Sequence, residues 1–168
     1  MMQYLCGTPN MPMVLSRDRS GVICWWADGS HSTHANLHGH MGRCMSLGQG
    51  MIVTSSLKQK LNTRSSTETK LVAINNTLPL LLWANNFLQS QKYDLKETIL
   101  YQDNQSAILL ERNGHLSSSH QTRHLNAQYF FITNCITKGD LDVRYCPTEE
   151  MVADFFTKPL QGNMFIKL

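Results

Sequence analysis

The sequence predicts an α/β domain. It should be built on a mixed five-stranded sheet, a three-strand antiparallel meander extended by parallel strands, with helices flanking it. A chain of 168 residues with 42% hydrophobic content suits one domain with a proper core. Its apolar pattern reads as three consecutive strands, after which helices and strands alternate in the order βββαβααβα. Three aspartates far apart in the chain, Asp28, Asp103 and Asp154, each stand where an apolar element begins or ends.

Residues 1–20 read as a short amphipathic piece, a turn at Gly7-Thr8-Pro9-Asn10 and a polar link. They look like a tail left from something upstream, so the domain is placed at 21–168. The aromatic and β-branched run 22–27 favours a strand, and 41–47 and 51–55, separated by Gly48-Gln49-Gly50, fit two more joined by a tight turn. At 67–89 the period changes. Leu71, Ile74, Leu78, Leu81 and Leu88 fall near helical spacing, with Ser65, Ser66 or Thr67 available as a cap. Pro79 removes a donor inside that helix and crowds the carbonyl of Asn75, which predicts a kink or a break. Strand character returns at 97–102, followed by a short helix at 104–111, a longer one at 120–137, a strand at 141–146 and a last helix at 149–158.

In open α/β sheets, sites form at strand ends where strand order switches. Asp28 and Asp103 close predicted strands and are expected to be neighbours, with Asp154 approaching from the side. Asp is common in turns and caps on its own account. Three at element edges also suggest a hard-cation site, beside that turn-or-cap reading.

The net charge of +3 and a pI near 8.6 permit a polyanionic partner without indicating one, since no long block of Lys or Arg occurs. The five cysteines show no C-x-x-C spacing, and buried free thiols in a reducing compartment are expected. The start lacks the regions of a signal peptide, and the longest apolar stretch, 78–84, is far below the roughly 20 residues a bilayer span needs. A soluble intracellular protein of the cytoplasm or nucleus, with no membrane partner, is the expectation.

Five strings in order carry a resemblance: Ala27-Asp28-Gly29-Ser30, the run from Lys58 to Glu68, Tyr101-Gln102-Asp103-Asn104-Gln105-Ser106-Ala107, Thr122-Arg123-His124-Leu125-Asn126, and the run from Val152 to Leu160. Together they closely resemble the ribonuclease H region that ends the Pol polyprotein of copia-type retrotransposons. Gln3-Tyr4-Leu5-Cys6-Gly7-Thr8 resembles the segment that follows reverse transcriptase there, which makes the absent polymerase part an implied partner. The resemblance implies an RNase H-like fold that hydrolyses the RNA strand of an RNA/DNA hybrid with two Mg²⁺ ions held by four acids. By position, Asp28 would bridge the ions, Asp103 would ligate one and Asp154 the other. A-form shape and 2′-hydroxyls would distinguish RNA from DNA.

This sequence departs from the pattern at the fourth acid. Where the family shows the second glutamate of Ser-Thr-Glu-x-Glu, this chain has Lys70. Glu68 is retained, but two residues along a helix turn the side chain by about 200°, so it should point away from residue 70. An ammonium at the metal position repels Mg²⁺: two unit charges at ~4 Å interact by about 4 kcal/mol at an effective dielectric near 20. Severe loss of activity follows. A non-catalytic remnant that at most binds nucleic acid is the competing reading. The loop before Asp154, Pro147-Thr148-Glu149-Glu150-Met151, also lacks the histidine that cellular ribonucleases H carry. Glu149 and Glu150 read better as first-turn acids.

Lys58, Lys60 and Arg64, before the long helix, are candidate phosphate-backbone contacts or a solvated surface. Asn104 and Gln105 are candidate nucleic-acid contacts, although Asn104 and Ser106 also suit the cap of the short helix. His124 belongs to a family string and reads as a capping or packing residue. His31, His34, His38, His40 and Cys44 are dense but lack paired-ligand spacing for zinc. Trp25 and Trp26 should point to opposite sheet faces, one of them into the core.

Overall fold

The computed structural model describes residues 14–113 and 123–160 together with positions 6, 10 and 162; of residues 113 and 123–130 it describes the backbone. Five strands form the main sheet: β2 (Val22–Ser30), β3 (His40–Ser46), β5 (Val53–Lys58), β6 (Glu97–Gln102) and β7 (Asp142–Tyr145). Their order across the sheet is β5-β3-β2-β6-β7. The β2–β3 and β3–β5 pairs are antiparallel, and the β2–β6 and β6–β7 pairs are parallel. This is the mixed five-stranded sheet expected from the sequence. The polar link folds back: β1 (Ser16–Arg17) pairs with β4 (Gly48–Gln49), in the stretch expected to be a plain turn.

Helix α1 (Ser66–Ser90) covers one face of the sheet, joined by α2 (Gln105–Asn113) and α3 (Arg123–Lys138). Strand alternation sends Ile23, Trp25 and Ala27 to that face, where they pack in one cluster with Ile74, Leu78, Leu81, Leu100 and Val143. Trp26 points the other way and stacks on Tyr101, ring centroids 5.2 Å apart. The second face is covered around Cys44, Cys146, Met151 and Ala153. All five cysteines are free, and burial pushes the Cys44 thiol up to about 12.

Ser65 caps α1 by accepting from the Glu68 amide, and Glu68 reaches back to accept from the Arg64 amide at 2.6 Å. This is close to the reciprocal arrangement of a capping box. The helix runs unbroken through Pro79, so of the kink or break expected there the break does not occur. Pro79 lies on the exposed face and Asn75 is partly exposed, so solvent can reach the carbonyl that Pro79 leaves unpaired.

The predicted last helix at 149–158 is instead two 3-10 turns, Thr148–Glu150 and Val152–Phe156, separated at Met151 (ψ 87°). Met151, Ala153, Asp154 and Thr157 are all buried. The three-residue period of a 3-10 path superposes residues three apart, which turns Met151, Asp154 and Thr157 to one side. The third meander strand also lies two residues later than expected, beginning at Val53.

Candidate functional site

Two glycines next to Asp28 bring the site together. A Cβ on Gly29 would stand 2.8 Å from the carbonyl oxygen of Thr69, so its absence lets the first turn of α1 approach the end of β2. Gly42 pairs with Asp28 across the β2–β3 ladder, and a Cβ there would stand 2.6 Å from the carbonyl oxygen of Ala153. One approach delivers Lys70 to Asp28, and the other delivers Asp154, Thr157 and Lys158.

Asp28 lies inside β2, two residues before its end at Ser30 and not at the strand's close as expected, Asp103 follows β6, and Asp154 lies in the second 3-10 turn. The three meet. Lys70 Nζ donates to Asp28 Oδ1 and to Asp103 Oδ1, both at 2.5 Å. Lys158 Nζ donates to Asp154 Oδ2 at 2.8 Å and lies 3.8 Å from Asp28 Oδ2. The Thr157 hydroxyl donates to Asp28 Oδ2 at 2.7 Å, and the Thr148 hydroxyl reaches Asp103 Oδ2 at 3.4 Å.

Burial pushes the Asp28 carboxyl up, but the charge and hydrogen bond of Lys70, aided by Thr157 and Lys158, outweigh it and hold the group below the usual carboxylate range. For Lys70, burial favours the neutral amine, and the two carboxylates overcome it, so the ammonium is held more firmly than in water. Burial pushes Asp154 up to about 6; the Lys158 hydrogen bond pulls against this and the charge on Asp28 adds to it. Asp154 Oδ1 is buried with no hydrogen-bond partner among the described residues.

The residues present do not fit two divalent ions in this arrangement. Mg²⁺ takes near-octahedral oxygen ligands at roughly 2.0–2.1 Å. Here the space between Asp28 and Asp103 is taken by an ammonium whose side chain is only 13% exposed. Glu68 is no substitute, since its carboxylate is used at the helix cap.

Lys58, Lys60 and Arg64 are exposed. The two lysines line a cavity of about 440 Å³ with Arg43, Leu57 and Asn76. Arg43 Nη1 donates to the Asn76 carbonyl, and its Nε has no hydrogen-bond partner among the described residues. Asn104 Oδ1 caps α2 by accepting from the Ala107 amide, and its Nδ2 is 3.4 Å from Thr67 Oγ1. Gln105 lies on the outer side of α2, in an open cavity with Arg112, Arg144 and Tyr145. The His124 side chain lies outside the described residues. The histidine run divides: His31 Nδ1 meets Thr63 and Thr69, His34 Nε2 meets His40 Nδ1 at 3.0 Å, and Cys44 turns into the core.

Sequence reasoning assigned nothing to Thr157 or Lys158. The signal was present, since Lys158 stands four residues after Asp154, the spacing that brings side chains together on one turn. Arg43 carried no signal: a lone basic residue in a strand reads as surface.

No family model matches the chain. The chain is 30% identical over 169 residues, 98% of its length, to the retrovirus-related Pol polyprotein from transposon RE1 of Arabidopsis thaliana. It spans 11% of that relative's length. Among solved structures, LC11-RNase H1, isolated from compost, superposes with a TM-score of 0.61 at 15% identity, covering 81% of this chain and 92% of the other. The same enzyme solved in complex with an RNA/DNA hybrid gives 0.59 at 13% identity, covering 80% and 92%. Among the described residues, no helix is long and apolar enough to cross a membrane.

Proposed function

The chain belongs to the Pol polyproteins of copia-type retrotransposons as an RNase H domain, and from that membership we propose that it engages RNA/DNA hybrids at the end of the sheet where Asp28, Asp103 and Asp154 meet. The observation that carries this reading is the convergence of three acids from β2, the end of β6 and the last 3-10 turn, beside a switch between antiparallel and parallel pairing. The lineage's chemistry is Mg²⁺-assisted hydrolysis of the RNA strand, in which bound ions supply charge neutralisation at the phosphate and an activated water. In this chain that activity is weakened, because Lys70 stands where the fourth acid would. Lys58, Lys60 and Arg64 supply positive charge that holds the backbone of either strand, and Asn104 and Gln105 flank the acids from the start of α2. In the parent polyprotein the domain works beside reverse transcriptase, with residues 1–20 as the join and 21–168 as the RNase H unit.

Lys70 also favours a second reading, a nucleic-acid-binding module without turnover. One assay separates the two. The protein is incubated with an RNA/DNA hybrid and Mg²⁺, and cleavage and binding are followed for wild type and Asp103→Asn. Slow cleavage that Asp103→Asn abolishes supports the weakened nuclease. Salt-sensitive binding with no turnover supports the binding module, and no binding at low salt contradicts both.

A further inference from the structure

We propose that Lys70 is a built-in cation, an ammonium that takes the seat of a divalent ion between Asp28 and Asp103 and makes the acid cluster and the fold around it independent of divalent metal. The inference rests on reading the acid trio as an ancestral metal site. It goes beyond weakened catalysis, because a residue that merely repelled Mg²⁺ would leave the acids uncompensated.

They are compensated. Asp28 is fully buried and Asp103 nearly so, with side-chain exposures of 0% and 9%. Two buried carboxylates brought this close repel each other, and a fold that gathers them needs a cation. Lys70 Nζ contacts one oxygen of each at 2.5 Å, as a bridging ion would, using two of its three donors. The second oxygen of each faces a hydroxyl, Thr157 for Asp28 and Thr148 for Asp103. Lys158 bridges Asp154 and Asp28 in the same manner from the other side, but with 40% of its side chain exposed it can swing away. Lys70 cannot do so readily, because the turn that carries it is pinned. Thr69 beside it is fully buried, its carbonyl accepts from Gln59 Nε2, and its backbone packs against Gly29.

The test is thermal unfolding of the full chain, for wild type, Lys70→Ala and Lys70→Glu, in EDTA and in excess Mg²⁺. Wild type should melt at the same temperature in both. Lys70→Ala should lose roughly 5 °C or more in EDTA, given about 2–4 °C per kcal/mol for a domain of this size, and regain part of it with Mg²⁺. Lys70→Glu, with one more acid, should show the larger dependence on Mg²⁺. A wild-type melting temperature that rises with Mg²⁺ overturns the proposal, and needs neither variant to fold. So does Lys70→Ala melting above wild type in EDTA. No hybrid enters these measurements, so failed hybrid binding would sink the proposed function while leaving this inference intact, and a Mg²⁺-dependent wild-type melt would do the reverse.

Discussion

Replacing Lys70 by Met keeps most of the side-chain volume and removes the charge, so it isolates what the ammonium contributes. At 2.5 Å, each Lys70 contact carries a gross attraction of about 7 kcal/mol at an effective dielectric near 20. Desolvating the ions costs several kcal/mol each, so the net worth of the cluster is far smaller than the gross attraction. Removing one partner of a buried pair nonetheless costs about 3–5 kcal/mol, because the other is left buried and uncompensated. With Asp28 at 0% and Asp103 at 9% side-chain exposure, the full range applies. The assay is urea unfolding in EDTA of wild type, Lys70→Met, Asp28→Asn and the double variant. Lys70→Met should lose about 3–5 kcal/mol. Adding Asp28→Asn to it should return part of that loss, since one carboxylate is then easier to bury than two, with a coupling of about 1–3 kcal/mol. Strictly additive effects, or a Lys70→Met protein as stable as wild type, would refute the reasoning.

Three further outcomes follow from the same geometry. Gly42→Ala should cost about 1–3 kcal/mol in urea unfolding, because the new Cβ meets backbone and forces the last 3-10 turn off the sheet; an unchanged midpoint would contradict the close approach. Glu111 is fully buried with neither carboxyl oxygen bonded among the described residues, and burial pushes it up to about 8, with Arg112 pulling against the shift. The folded state therefore holds this proton more tightly than the unfolded one, so its contribution to stability falls as pH rises between about 4.5 and about 8. Glu111→Gln should flatten that part of the curve, and parallel stability–pH curves for the two proteins would argue against it. Lys58→Gln with Lys60→Gln should weaken hybrid binding and lower the slope of log affinity against log salt by about one per lysine; an unchanged slope would remove both from the interface.

What the sequence made legible was the part governed by pattern. Alternation in 22–27 set Trp25 and Trp26 on opposite faces, of which the structure buries Trp25 in the core, and the 3.6 period placed Leu71, Ile74, Leu78 and Leu81 on the buried face of α1. Spacing along the helix separated Glu68 from residue 70, and the structure puts Glu68 at the cap and Lys70 on the acids. The illegible part depended on close approach. Nothing local in Met151 to Thr157 says that the segment must lie flat over Gly42, so its first-turn acids read as an ordinary helix start. The break allowed for at Pro79 does not occur for a related reason: the cost of an unpaired carbonyl depends on which face carries it, and that face is known only once the core is placed. The Lys158–Asp154 pair was legible in its four-residue spacing, and only the reach of Lys158 to Asp28 depended on the fold.

The most direct test of the account is the rate of RNA-strand cleavage in an RNA/DNA hybrid with Mg²⁺, compared between wild type and Lys70→Glu. Restoring the acid should remove the ammonium from between Asp28 and Asp103, complete the donor set and raise the rate well above that of wild type. Equal rates for the two proteins, both with efficient cleavage, would mean that Lys70 does not obstruct the site and would contradict the account.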